Sequence, residues 1–325
     1  MVKSRLSIRL KAAFFLQNSI FRLKINVLLI VNLNKINPMI KSYILAAFVL
    51  VSALTSCQNN AKDENGTDHQ LDSLKIVSLN GPVTEVLAAI GLEKNIVGTD
   101  ITSNYPESIK AKPKLGHSKS INAEGVMALR PDLIVGLSKE ITPALAEQFK
   151  TAGVRLLLVD QEYSAEGTKK LIRTLADSLH REKAGDSVIR QLETDLAVKP
   201  AAAQSKPKVL FIYARGAGTM MVGGTGTQVA SMIELAGGQN AVTEFADYKP
   251  LTAEALVKAN PDVILLFESG LQSLGGAEGM AKVQGIKETN AGKNKKIVSM
   301  DGELLSSFGP RLGVAIKELA AKIHD

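Results

Sequence analysis

The sequence has no tryptophan, one cysteine, four histidines and only 4% aromatic residues. A single cysteine excludes an internal disulfide. Zinc and manganese centres need several imidazoles and carboxylates to converge, and His69, His117, His180 and His324 are scattered along the chain. No phosphate-binding GxxxxGKS/T run and no GxSxG nucleophile elbow is present, and the glycine-rich stretch Gly223–Thr227 lacks the dinucleotide-binding spacing. With the one cysteine placed in a leader, no nucleophile–base pair stands out, and an enzyme is not expected. Acidic residues are missing altogether from positions 1–56, which hold eight Lys/Arg. The rest carries 31 basic against 32 acidic residues, so the net charge of +7 belongs to the leader and implies no nucleic-acid partner. What is abundant is aliphatic: 45% of the chain is apolar, the composition of α/β cores, and 325 residues suffice for two domains.

Residues 1–56 read as a leader. Lys41 supplies a positive region, Tyr43–Leu54 an apolar one, and Leu54-Thr55-Ser56-Cys57 a small-residue cleavage site. That four-residue pattern resembles the lipobox of bacterial lipoproteins, which implies that Cys57 becomes a lipidated N-terminus anchoring the body to a membrane. A start at Met39 gives a signal of normal length; otherwise residues 1–38 make an unusually long leader. Residues 57–73, polar and rich in Asn, Asp and Gly, read as a disordered tether.

The body is organised by a repeat. Ile121–Gly136 (INAEGVMALRPDLIVG) returns as Leu251–Leu266 (LTAEALVKANPDVILL), with Ala, Glu, Pro, Asp and Ile recurring at a fixed offset of 130. Each copy predicts a short helix capped by Asn122 or Thr252, ended by proline and followed by a buried strand. Glu124 and Glu254 fall in the first turns, where a carboxylate suits the positive helix end. One unit used twice implies two similar lobes, here 74–162 and 199–325. In the first, KIVSL, NIVGTD and VRLLLV add strands, Thr84–Ile90 a helix with Glu85 in its first turn, and Ile101–Pro113 a loop. In the second, VLFIYA precedes a loop over 215–227, followed by a helix, the echoed unit, loops over 268–279 and 301–311, and a terminal helix. Strand–helix alternation predicts Rossmann-like parallel sheets. Between the lobes, 163–198 runs without proline, with Leu and Val at helical spacing, and predicts one connecting helix about 45–50 Å long that Gly185 could bend.

The stretches SLNGPVTEVLAAIGL, VGTDITSNYP, LGHSKSINAEGVMALRPDL, MMVGGTGTQVASMIELAGGQNAV, GLQSLGGAEGM and SSFGPR resemble substrate-binding lipoproteins of ABC importers. The similarity is to the rigid-helix class III that serves cobalamin, iron–siderophores and haem, and within it to the hemin-binding branch. The resemblance implies two α/β lobes joined by a single long helix, and a cleft that takes haem as cargo rather than as a catalytic cofactor. It also implies a permease with its ATPase as partners, and a place in the cell envelope. Tyr105, in SNYP, matches the position of an iron-ligating tyrosine; phenolate oxygen is a suitable donor for ferric iron. His117 matches a cleft loop that more often holds an aromatic, and is a second ligand or cleft contact. Lys119, Arg215 and Arg311 are nearest to cleft loops and are candidates for the haem propionates. Met220 and Met221 are candidates for porphyrin contact or for plain packing. Glu124 and Glu254 match the carboxylates that dock into permease arginines. Cobalamin or a ferric siderophore is the competing cargo, against which the lack of tryptophan weighs for cobalamin.

Overall fold

The computed structural model describes residues 73–117, 120–197 and 206–325; the leader, Cys57, the tether up to residue 72, Lys119 and the segment 198–205 lie outside the described residues. The first lobe holds β1 (Ile76–Leu79), α1 (Gly81–Leu87), β2 (Ile96–Thr99), α2 (Ala123–Ala128), β3 (Leu133–Leu137), α3 (Pro143–Thr151) and β4 (Arg155–Val159). Its four strands are all parallel in the order β2-β1-β3-β4. Two helices follow, α4 (Ala165–Ser178) and α5 (Glu182–Ala197).

The second lobe opens with β5 (Lys208–Ala214), β6 (Met220–Gly223), α6 (Gln228–Leu235), β7 (Gln239–Asn240) and β8 (Tyr248–Pro250). It continues with α7 (Ala253–Ala259), β9 (Val263–Phe267), α8 (Glu268–Ser273), α9 (Gly276–Met280), α10 (Asn290–Lys293), β10 (Ile297–Met300), α11 (Gly302–Ser306) and α12 (Leu312–His324). Its sheet runs β10-β9-β5-β6-β8, with β7 on the β6 side of β5. The centre β10-β9-β5 is parallel like the first lobe, but β6 and β8 are antiparallel. The segments expected to be loops at 215–227, 268–279 and 301–311 thus contain β6, α8 with α9's start, and α11.

The repeated unit behaves alike in both copies. Asn122 Oδ1 accepts the Glu124 N–H at 3.0 Å, and Thr252 Oγ1 the Ala255 N–H at 3.1 Å. Each helix ends on a left-handed residue, Arg130 (φ 49°) or Asn260 (φ 40°), immediately before the proline. The repeated aspartates explain themselves. Asp132 accepts the Lys75 N–H at 2.8 Å and Asp262 the Lys208 N–H at 3.0 Å, so each clamps the start of the central strand of its own sheet.

The single 45–50 Å rod is corrected. His180, at φ 54°, breaks the run between α4 and α5, and the two helices fold back as an antiparallel hairpin. Arg173 pairs with Asp186 at 3.1 Å and Lys169 with Glu193 at 3.2 Å across it. Gly185 does not bend a helix; a Cβ there would lie 2.4 Å from Ala176 Cβ, so glycine lets the helices touch. One helix still crosses between the lobes. α5, its 16 residues spanning about 24 Å, packs on the turn after α1 on one side and on α12 on the other. Ile90, Leu175, Ile189, Leu192, Leu312 and Ile316 belong to one apolar core that both lobes share. Among the described residues no helix is long and apolar enough to cross a membrane.

Candidate functional site

Open α/β sheets present ligands at the carboxyl ends of their strands. The Tyr105 loop leaves β2 at that end. Its first residues are fastened within the first lobe: Asp100, buried, accepts the hydroxyls of Thr102 and Ser103, and Ser103 joins Thr84 at 2.9 Å and through it Ser78 at 2.7 Å. Lys114 Nζ closes the loop's far side, donating to the Ser103 carbonyl and to Thr99 Oγ1 at 3.1 Å. Burial pushes its pKa down. His117 follows at once, exposed, its loop stitched to the Tyr105 loop by the Ile101 N–H on the Gly116 carbonyl at 3.0 Å. The sequence-predicted pair Tyr105 and His117 therefore rises from neighbouring loops on one strand end.

Tyr105 itself is held from the opposite lobe. Glu303, on α11, accepts the Asn104 N–H at 3.0 Å and the Tyr105 N–H at 3.3 Å. The Arg311 guanidinium lies 3.6 Å from the centre of the Tyr105 ring. Its Nη2 and Nε donate to Glu85 at 2.6 and 3.0 Å, and Ser307 Oγ donates to the same carboxylate at 3.1 Å. The helix expected to begin at Thr84 begins at Gly81, so Glu85 lies beyond the first turn of α1; it is buried and bridges the lobes. Burial, with Glu85 nearby, pushes the Glu303 pKa up to about 7 against the bonds it accepts. Tyr105 stays 43% exposed, and its hydroxyl has no hydrogen-bond partner among the described residues.

Sequence reasoning missed the aromatic grouping. Low aromatic content hides that the body's four tyrosines all gather where the lobes meet. Tyr213, one residue from the end of β5, packs edge-on to Phe267, the last residue of β9, at 6.1 Å. Tyr248 meets Phe211 at 6.4 Å, and Tyr163, from the first lobe's exit, meets Phe308 at 5.4 Å. Burial, with Tyr163 and Tyr213 close by, pushes the Tyr248 phenol up to about 12. Arg215 is exposed over the Tyr213 ring at 5.6 Å. The signal available in advance was position: aromatics at the carboxyl ends of predicted strands.

The other expected residues divide. Arg311 is committed to Glu85, which leaves Arg215 as the exposed cation of the pair. Met220 and Met221 lie half-buried on β6. Glu124 and Glu254 are both exposed, in the first turns of α2 and α7, at equivalent places of the repeat. Among the described residues no group of three His, Cys, Asp or Glu could hold a metal ion.

Known proteins are similar to this chain. The apo structure of the periplasmic heme-binding protein RhuT from Roseiflexus sp. RS-1 is 35% identical, with a TM-score of 0.75, over 78% of this chain and 98% of that one. The uncharacterized ABC transporter substrate-binding lipoprotein YvrC of Bacillus subtilis (strain 168) is 29% identical over 77% of this chain and 80% of its own. A vitamin B12-binding protein of Yersinia pestis (strain Pestoides F) is 26% identical over 70% and 76%. The periplasmic binding protein family (Peripla_BP_2) matches residues 76–304. With its two sheets and the helix between them, the chain belongs to that family, as a class III substrate-binding component of an ABC importer for ligands of the cobalamin, siderophore and haem kind.

Proposed function

We propose that this protein captures haem between its lobes and hands it to an ABC permease and its ATPase. The observation that carries the reading is the junction of the lobes. Tyr105, half-exposed and with no hydroxyl hydrogen bond among the described residues, lies against Arg311 of the other lobe, and aromatic rings pack nearby on the core that both lobes share. Phenolate oxygen is a hard anionic donor for ferric iron, and aromatic and aliphatic faces bury a flat apolar macrocycle. The likeness to a heme-binding protein at 35% identity supports the same cargo. His117 is a second ligand or cleft contact; Arg215 and Lys119 serve the propionates.

Docking follows from the repeat. Glu124 and Glu254 are exposed carboxylates at matching places, suited to a pair of arginine pockets on the permease. The body stands in the cell envelope, held to a membrane by lipid on Cys57. Because the lobes share a core, cargo meets a largely preformed cleft, and docking loosens it.

The test is absorbance of the purified protein titrated with ferric haem. A Soret shift with visible charge-transfer bands is expected, and Tyr105→Phe should lose the bands and much of the affinity. An unchanged spectrum in Tyr105→Phe refutes the ligand. Binding of cyanocobalamin in place of haem would assign the chain to the cobalamin branch instead. Reversing both Glu124 and Glu254 should abolish transport without changing haem binding.

A further inference from the structure

The Tyr105 loop is secured in two halves by two different lobes. Residues 100–103 are tied within the first lobe by Asp100, Thr84 and Lys114. The Asn104 side chain also donates within that lobe, to the Thr102 carbonyl at 3.3 Å and the Ile101 carbonyl at 3.5 Å, but the backbone N–H groups of Asn104 and Tyr105 do not. Among the described residues these N–H groups find an acceptor only in Glu303, whose two carboxylate oxygens both lie 3.0 Å from the Asn104 nitrogen. Glu303 is presented by α11, whose own start is capped by Asp301 accepting the Leu304 N–H at 2.8 Å. Two N–H groups directed at one carboxylate fix a short piece of backbone directly.

We infer that Glu303 is a positioning residue for Tyr105: it sets the backbone of the first lobe's phenol from the second lobe, so that Tyr105 is in place only while the lobes are together. This rests on the reading of Tyr105 as a haem ligand and extends it to release. When the lobes part, the two N–H groups lose their acceptor, Arg311 leaves the ring face, and the phenol is no longer held where cargo meets it. A modest separation is enough, since hydrogen bonds weaken steeply once their geometry is lost. Charged groups around Glu303 are Glu85, Asp301 and Arg311, with Lys110 and Lys114 on the loop side.

The test uses the full-length protein loaded with ferric haem, with release followed by transfer to excess apomyoglobin. Glu303→Ala should release haem about tenfold faster or more and weaken the charge-transfer bands, while Glu303→Gln, which keeps an acceptor oxygen, should restore much of both. In a Tyr105→Phe background Glu303→Ala should add nothing further, the coupling expected of residues acting through one another. Equal acceleration with and without Tyr105, or no effect of Glu303→Ala on release or spectrum, overturns the inference alone. A Tyr105→Phe protein with an unaltered spectrum overturns it together with the ligand reading. Should Glu303→Ala not fold, the amide proton of Asn104 decides on cargo-free protein. Its hydrogen exchange should be slow in the wild type and faster in Glu303→Asp, whose shorter side chain draws the carboxylate back from the amide; equal exchange in both refutes the contact.

Discussion

The two lobes are the same at their centres and different at one edge. In both, a central strand is clamped at its start by the repeated aspartate and flanked by the strand of the repeated unit. Beyond the central strand they diverge. The first lobe adds β2, parallel, and its carboxyl end carries the loops of Tyr105 and His117. The second covers the same edge of β5 in two pieces, β7 along its first half and β6, antiparallel, along its second. The hairpin from β5 to β6 brings Tyr213 and Arg215 to the meeting of the lobes. The repeated frame holds the sheets, and the unrepeated edges bear the groups suited to a ligand.

The largest effect is expected where the frames are tied together. Arg311→Ala leaves the Glu85 carboxylate buried without its cation, at a cost of about 3–5 kcal/mol. Since one apolar core runs through both lobes, urea denaturation should show the loss in one transition rather than two. Replacing both partners together, Glu85→Leu with Arg311→Met, should recover most of it. Separate transitions for the lobes in the wild type would contradict the shared core.

The aspartate clamps sharpen the comparison at a smaller scale. Asp132→Ala removes one bond to backbone and should cost about 1 kcal/mol. Asp262 also accepts Asn290 Nδ2 at 3.0 Å, so Asp262→Ala should cost about 2 kcal/mol. Equal losses by thermal denaturation would show that the extra partner counts for nothing. Below these come the caps. Asn122→Ala and Thr252→Ala should each cost up to about 1 kcal/mol, and near-equal values would confirm that the repeat is energetic as well as geometric.

Much of this was legible in the sequence, and the reasons are local. The fixed offset of the echoed unit exposed its caps, its helix ends at proline and its strands, because each depends on neighbours a few residues away. The loop of Tyr105 was recognisable from SNYP, and the exposed first-turn glutamates from their place after Asn122 and Thr252. The failures were non-local. Leu and Val at helical spacing over 163–198 fit two packed helices as well as one, since spacing marks a buried face without saying what covers it. The run breaks over residues 179–181, with His180 at a positive φ, and histidine is no usual helix stop. Glu85 looked like a helix-end charge because Arg311, 226 positions away, supplies its partner. The gathering of tyrosines needed the strand order of both sheets.

The smallest effect concerns the proton on Glu303. Its pKa is raised from the model-compound 4.5 to about 7, first by burial and then by Glu85. A carboxyl raised on folding favours the folded state while protonated. That contribution is complete below about pH 4.5, fades as the unfolded chain begins to ionise, and is gone once pH has passed through 7. Wild-type stability should therefore fall, relative to Glu303→Gln, between pH 4.5 and 7, and run parallel to it above pH 8. Both partly exposed surroundings and the N–H groups of Asn104 and Tyr105 moderate the size, since they favour the charged form. The first lobe has no counterpart, as the repeat stops short of α11. A Glu303→Gln profile that tracks the wild type throughout that window would mean that the carboxyl is already ionised at pH 5, and that burial does not govern this junction.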